Sequence, residues 1–174
     1  STETEPNMYV GIIINRSLAD TTDSVTGLGD IHALVNAIGE MRRVARKASL
    51  VAIKIDDIAK VNARFGFDAG DRVLAESAAC LMDCSRGKGR LFRSTGPMFV
   101  ALFDDLDPEE TDTIAEEIER FLGSPVLFGS FEYQPPIRVA TLHLDAVDRQ
   151  PVSILNELKA LLEEAPQVPG TKLD

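Results

Sequence analysis

The chain has 174 residues, enough for about one domain with an apolar core of its own. Hydrophobic residues make up 44% and charged residues 26%, the composition of an ordinary globule, which excludes a disordered or low-complexity architecture. Eighteen Lys and Arg against 28 Asp and Glu leave a formal charge of −10, which repels nucleic-acid backbones and anionic membrane surfaces.

Residues 1–7 are polar and read as a loose terminus, and residues 8–14 (MYVGIII) read as a short strand. That run is too short to span a membrane and no cationic stretch precedes it, so a cytoplasmic location and no membrane insertion are expected. After a polar linker, apolar residues at Ile31, Leu34, Val35, Ile38, Met41 and Val44 predict an amphipathic helix over 30–47 with Asp30 as N-cap. Residues 49–55 (SLVAIKI) predict a strand buried on at least one face, ending in Asp56 and Asp57. A short helix over 58–65 closed by Gly66 and a second over 68–84 follow. Cys80 and Cys84, four apart on that helix, fit neither a disulfide framework nor a zinc site and read as reduced structural residues.

Residues 90–93 and 99–103 flank a turn-rich interruption and predict a β-hairpin. A helix opens at Pro108, with Glu109 and Glu110 at its positive end, and runs to about Leu122. Residues 137–144 predict another strand and 153–164 a last amphipathic helix, while the tail after Pro166 carries no pattern and reads as flexible. The expected fold is therefore a mixed α/β arrangement built on one sheet, with no internal domain boundary.

Three strings, in order, resemble the signature of the GGDEF domain, the diguanylate cyclase family. Residues 23–28 (DSVTGL) are similar to DxLTGL, and residues 56–71 (DDIAKVNARFGFDAGD) to DxDxFKxxNDxxGHxxGD, keeping Asp56, Val61, Asn62, Gly66, Gly70 and Asp71. Residues 93–99 (RSTGPMF) lie where the family has RxGGDEF, so Thr95, Gly96, Pro97, Met98 and Phe99 form a degenerate signature turn. The resemblance implies a palm-like fold over residues 23–165, with a central, mostly antiparallel sheet flanked by helices. Residues 1–22 would then be the end of an upstream sensor domain or an added strand, and 166–174 a tail. It also implies a family chemistry in which two GTP molecules are joined into cyclic di-GMP with two metal ions bridging carboxylates and phosphates.

The acids for that chemistry are missing. A family metal ligand falls on Lys54 and the GGDEF acids fall on Pro97 and Met98, which leaves Asp56 as the one remaining metal candidate. Thr95 replaces a glycine that would let a phosphate approach the backbone, and Ala59 replaces the lysine of the FK pair. No cofactor is expected, and Mg²⁺ only if activity is retained. The resemblance places guanine recognition on Asn62 and Asp71, with Lys54 as a positive charge near the phosphates. Asp71 reads equally as a first-turn acid of its helix, and Asn62 as a partner for backbone groups of the adjoining turn. The family's RxxD inhibitory site falls on Arg86 and Gly89, so its Asp is missing. His32 and His143 read as structural. The expectation is a catalytically inactive regulatory or protein-interaction module, pairing with a protein partner or with itself. The alternative is a receptor for GTP or cyclic di-GMP, and the third reading is an active cyclase with an unusual site.

Overall fold

The structure, a computed structural model, describes residues 21–85, 87–122 and 125–173. The strand expected over 8–14 lies outside them. Among the described residues the order is α1 (Ile31–Arg43), β1 (Ala48–Ile55), α2 (Ile58–Phe65), α3 (Ala69–Ser85), β2 (Arg90–Arg93), β3 (Met98–Asp104), α4 (Pro108–Phe121), β4 (Val126–Phe128), β5 (Phe131–Tyr133), β6 (Ile137–Leu144) and α5 (Pro151–Glu164). β2, β3, β1 and β6 form one antiparallel sheet in that order, and β4 and β5 form a separate hairpin.

The apolar run of β1 is continuous because the strand is covered on both faces. Val51, Ile53 and Ile55 point into a core shared with Phe99 and Phe103 of β3, Val61 of α2, Val73 of α3 and Ile118 of α4. Leu50 and Ala52 point the other way, toward Leu34 and Ile38 of α1, Val100 and Leu102 of β3, and Ile154 and Leu158 of α5. Side chains alternate across a strand, so a sheet covered on one face only would show polar residues at every second position. Here one central strand feeds two cores in a helix–sheet–helix sandwich.

Asp30 caps α1 as expected, its side chain accepting from the Ala33 N–H at 3.0 Å. The helix stops at Arg43 rather than 47, because Ala45 takes a left-handed turn (φ 50) and the Arg46 N–H closes back on the Met41 carbonyl. The β4–β5 hairpin has arms of three residues each, too short for alternation to announce them. Its aromatics are used: Phe128 stacks on Phe65 of α2 with centroids 4.2 Å apart.

The segment after Pro166, expected as a flexible tail, is laid along the sheet edge. Val168 and Ile137 exchange backbone hydrogen bonds at 2.8 and 3.1 Å, the Thr171 N–H donates to the Gln134 carbonyl, and the Gln134 N–H donates to the Thr171 hydroxyl. The edge of β6 supplies the partners for this segment, which its own sequence pattern does not reveal. No helix among the described residues is long and apolar enough to cross a membrane.

Candidate functional site

The first string folds into a tight loop around Asp23. Its carboxylate accepts from the Thr26 N–H at 2.9 Å and the Thr26 hydroxyl at 2.7 Å, and Arg93 Nη1 donates to both carboxylate oxygens at 3.2 and 3.3 Å. Burial pushes the Asp23 carboxyl up, but the Thr26 hydrogen bonds and the Arg93 guanidinium outweigh it and hold the pKa below the usual carboxylate value. Arg93 also donates from Nε to the Gly96 carbonyl at 2.9 Å, and its backbone N–H bonds the Gly29 carbonyl. The first string is thereby latched to the signature turn.

That turn lies between β2 and β3, closed by the Ser94 N–H on the Met98 carbonyl at 2.8 Å, with Thr95 and Gly96 exposed at its tip. The Ile55 N–H donates to the Pro97 carbonyl, which seats the turn against the end of β1. Phe99 and Met98 point to opposite faces. Phe99 enters one core, and Met98, only 4% exposed, packs its thioether into the other. Lys54 lies directly across from Met98 on β1, with Arg138 of β6 on its other side.

Asp56 is the acid that could still have held a divalent cation. Its Oδ2 accepts from Arg138 Nε at 3.0 Å and from Gln167 Nε2 at 2.6 Å, and the Lys54 ammonium stands 3.7 Å from Oδ1. Two cations and an amide therefore occupy the coordination sphere of this carboxylate, which is 12% exposed. Among the described residues no three His, Cys, Asp or Glu side chains converge to hold a metal ion. Mg²⁺ wants several hard oxygen ligands in octahedral array, and an ammonium, an imino acid, a buried thioether and a bonded carboxylate do not fit it. The turn after β1 also carries strain, since Asp57 sits in the left-handed region (φ 67) and caps α2 with backbone only.

Asn62 and Asp71 meet at the junction of α2 and α3. Asn62 Oδ1 accepts from the Gly70 N–H at 2.7 Å, tying the two helices, and Gly70 permits the approach because a Cβ there would stand 2.7 Å from Ile58 and 2.9 Å from Asn62. The backbone partner of the Asn62 side chain is thus Gly70, at the start of the next helix, and the adjoining turn is closed instead by the Asn62 carbonyl, which accepts from Gly66 N–H. Asp71 is an exposed first-turn acid of α3, and among the described residues it has no hydrogen-bond or ion-pair partner.

Arg86 lies outside the described residues. Gly89 takes a positive φ of 73, and a Cβ on it would fall 2.5 Å from the Phe103 ring, so this position has no room for the missing Asp. The neighbouring cations are matched by acids, Lys88 to Glu110 at 3.7 Å and Arg90 to Asp104 at 3.6 Å. Cys80 and Cys84 are free thiols; burial pushes Cys84 up to about 12, which leaves it protonated and unreactive.

Sequence reasoning missed one polar chain. His143 Nδ1 lies 3.1 Å from Ser49 Oγ, and His143 Nε2 lies 3.2 Å from Asp112 Oδ1 on α4. Ser49 is 2% exposed on a flat central strand, so no acyl group can reach it, and the chain pins α4 to the sheet. The sequence separation of 94 between Ser49 and His143 hides that contact from any local motif.

Comparison with known proteins follows the same strings. The family described as "Diguanylate cyclase, GGDEF domain" matches residues 20–125. The chain is 31% identical over 84 residues to diguanylate cyclase DgcS of Shewanella oneidensis, covering 46% of this chain and 28% of that protein. It is 29% identical over 119 residues to the cyclic di-GMP phosphodiesterase PdeR of Escherichia coli, covering 67% of this chain and 18% of that one. The chain thus spans less than a third of either relative. In fold it is similar to diguanylate cyclase SiaD of Pseudomonas aeruginosa, solved in complex with its activator SiaC, with a TM-score of 0.77 at 21% identity over 84% of this chain and 58% of that one. A match over more than half of the chain, whose range includes the Asp23 latch, the α2–α3 joint and the turn before Phe99, makes this chain a member of the GGDEF domain family.

Proposed function

We propose that this GGDEF domain does not condense GTP and instead serves cyclic di-GMP signalling from the cytoplasm as a regulatory module that binds a protein partner or a second copy of itself. The observation that carries the reading is the state of Asp56. The last family-type metal ligand has its Oδ2 taken by Arg138 and Gln167 and the Lys54 ammonium 3.7 Å from its Oδ1, so cationic side chains stand where two Mg²⁺ ions would have to bridge it to a triphosphate. Its neighbours Lys54, Pro97 and Met98 add no oxygen ligand. The relatives support a place in this signalling system from both sides, one being named a cyclase and the other a phosphodiesterase, and SiaD is a family member solved with a protein bound to it.

The test is incubation with GTP and Mg²⁺ or Mn²⁺, followed by chromatography for cyclic di-GMP. No product is expected at enzyme concentrations where a family cyclase turns over many times, and robust product overturns the reading.

A second reading, a receptor for GTP, is favoured by Asp71. An exposed carboxylate without a partner among the described residues, one residue from the Asn62–Gly70 joint, can accept from the ring N–H and amino group of guanine. Isothermal titration with GTP is expected to show saturable binding that Asp71→Ala abolishes. No heat with GTP removes this reading while leaving the first untouched.

A further inference from the structure

The two edges of the main sheet are finished differently. β2, at one edge, has four residues with an Arg at each end, and its Arg93 N–H donates to the Gly29 carbonyl of the first loop. β6, at the other edge, has eight residues and runs in unbroken register with β1 from Ile137 to Leu144. The segment after Pro166 covers only the start of that edge, where Ile137 gives both its N–H and its carbonyl to Val168. Hydrogen-bonding direction alternates along an antiparallel strand, so the backbone groups of Val139, Thr141 and His143 point away from β1, as those of Ile137 do. Among the described residues these outward N–H and carbonyl groups have no hydrogen-bond partner. Natural edge strands carry charges, prolines or bulges that keep a further strand away. Residues 139–142 (VATL) have none of these. Val139, Ala140 and Leu142 are also only partly buried, while Ile53, Ala52 and Leu50 opposite them on β1 are sealed, so one more strand would extend both cores at once.

We infer that this edge pairs with the β6 edge of a second copy of the chain, antiparallel about a two-fold axis at Thr141, so that two four-stranded sheets become one continuous sheet. The inference rests on the reading of a regulatory module that binds a copy of itself, and it names the surface that does so. The strand is its own complement. With Thr141 opposite Thr141, Val139 faces His143 of the second copy, so every outward residue meets an outward residue and the pair exchanges about six hydrogen bonds. Charge points to the same place. Two chains of −10 repel over most of their surface, but β6 holds no Asp or Glu, so the two strands approach without opposed acids. A foreign extended peptide would need the same backbone spacing, and the second copy already has it.

The test is sedimentation equilibrium of the full chain up to about 1 mM, with amide hydrogen exchange measured at low and high concentration. A dimer is expected, tightened severalfold when salt is raised to about 0.5 M because the net charges are screened. The Val139, Thr141 and His143 amides should slow as concentration rises, while those of Ala140 and Leu142, which face β1, stay slow throughout. Thr141→Pro removes an N–H that the fold does not use and is expected to weaken the dimer roughly tenfold, with its thermal midpoint as the control for folding. Should that variant fail to fold, the exchange of the parent decides alone. A monomer at every concentration, a dimer whose three outward amides exchange as in the monomer, or a folded Thr141→Pro that dimerises within twofold of the parent overturns the inference. Protection of those amides that does not change with concentration assigns the edge to a segment of the same chain and overturns it too. The cyclase assay judges the reading of inactivity separately, so the two failures are told apart.

Discussion

The two halves of this site have been treated differently by the sequence. At the loop and joint half, two of the family-type residues bond to the protein itself, Asp23 to Thr26 and Arg93 and Asn62 to Gly70, while Asp71 beside them is exposed. At the β1 and turn half, the residues that would touch only metal are absent, and the surviving Asp56 has been recruited into an ion pair with Arg138. The difference teaches that a side chain which also satisfies the fold holds its place whether or not chemistry is performed. One whose sole partner is a ligand has no such anchor. Substitutions of Asp23 and Asn62 should therefore cost stability, and substitutions at the exposed tip of the turn should cost little.

The largest effect is expected at Gly89, where the family resemblance would put the acid of an RxxD motif. Gly89→Asp puts a side chain at a left-handed φ and against the buried Phe103 ring, so it should destabilise the domain by about 3 kcal/mol. A urea midpoint well below that of the parent, with no gain of cyclic di-GMP binding by titration, is the expected outcome. An unchanged midpoint would mean that the loop moves freely away from Phe103.

Next comes the latch. Asp23→Ala removes four contacts and leaves Arg93, whose side chain is 17% exposed, without its acid, at a cost of about 2–3 kcal/mol. The same bond has a pH signature. The folded pKa of Asp23 is depressed, so its contribution is fully present above the unfolded value near about 4 and fades as the pH falls through the lower folded value. The stability gap between parent and Asp23→Ala should therefore be constant at neutral pH and narrow below about pH 4. A gap that persists in acid would show that packing, not the carboxylate, holds the loop.

These effects also mark what was legible beforehand. The strand β1, expected to be buried on at least one face, is legible in its apolar residues Leu50 to Ile53 and the cap of α1 in Asp30, because both depend on neighbours in sequence or on period alone; that both faces are covered is a finding of the structure. The two helices that carry Asn62 and Asp71 were legible from their periodicity and from Gly66 between them, and the structure joins them through Asn62 and Gly70. The engagement of Asp56 was not legible, because Arg138 and Gln167 lie 82 and 111 residues away and nothing near Asp56 announces them. The ordered segment after Pro166 escaped for the same reason: its partners are backbone groups of an edge strand, which leave no mark on its composition.

The smallest effects sharpen the comparison most, because they separate two neighbours with one proposed role. Asn62→Ala leaves the half-buried Gly70 N–H without its acceptor and should cost about 1 kcal/mol, with Asn62→Asp recovering most of it because a carboxylate oxygen can still accept. Asp71→Ala removes an exposed acid with no partner among the described residues; it forfeits only its favourable place in the first turn of α3, and the loss should stay within about 0.5 kcal/mol. Thermal denaturation of the two variants side by side decides the matter. If both lose equally, Asp71 is a structural residue like Asn62, and the reason to read it as a recognition group is gone. If only Asn62→Ala loses, Asp71 is left as a carboxylate the fold does not use, and its function must be sought in a ligand.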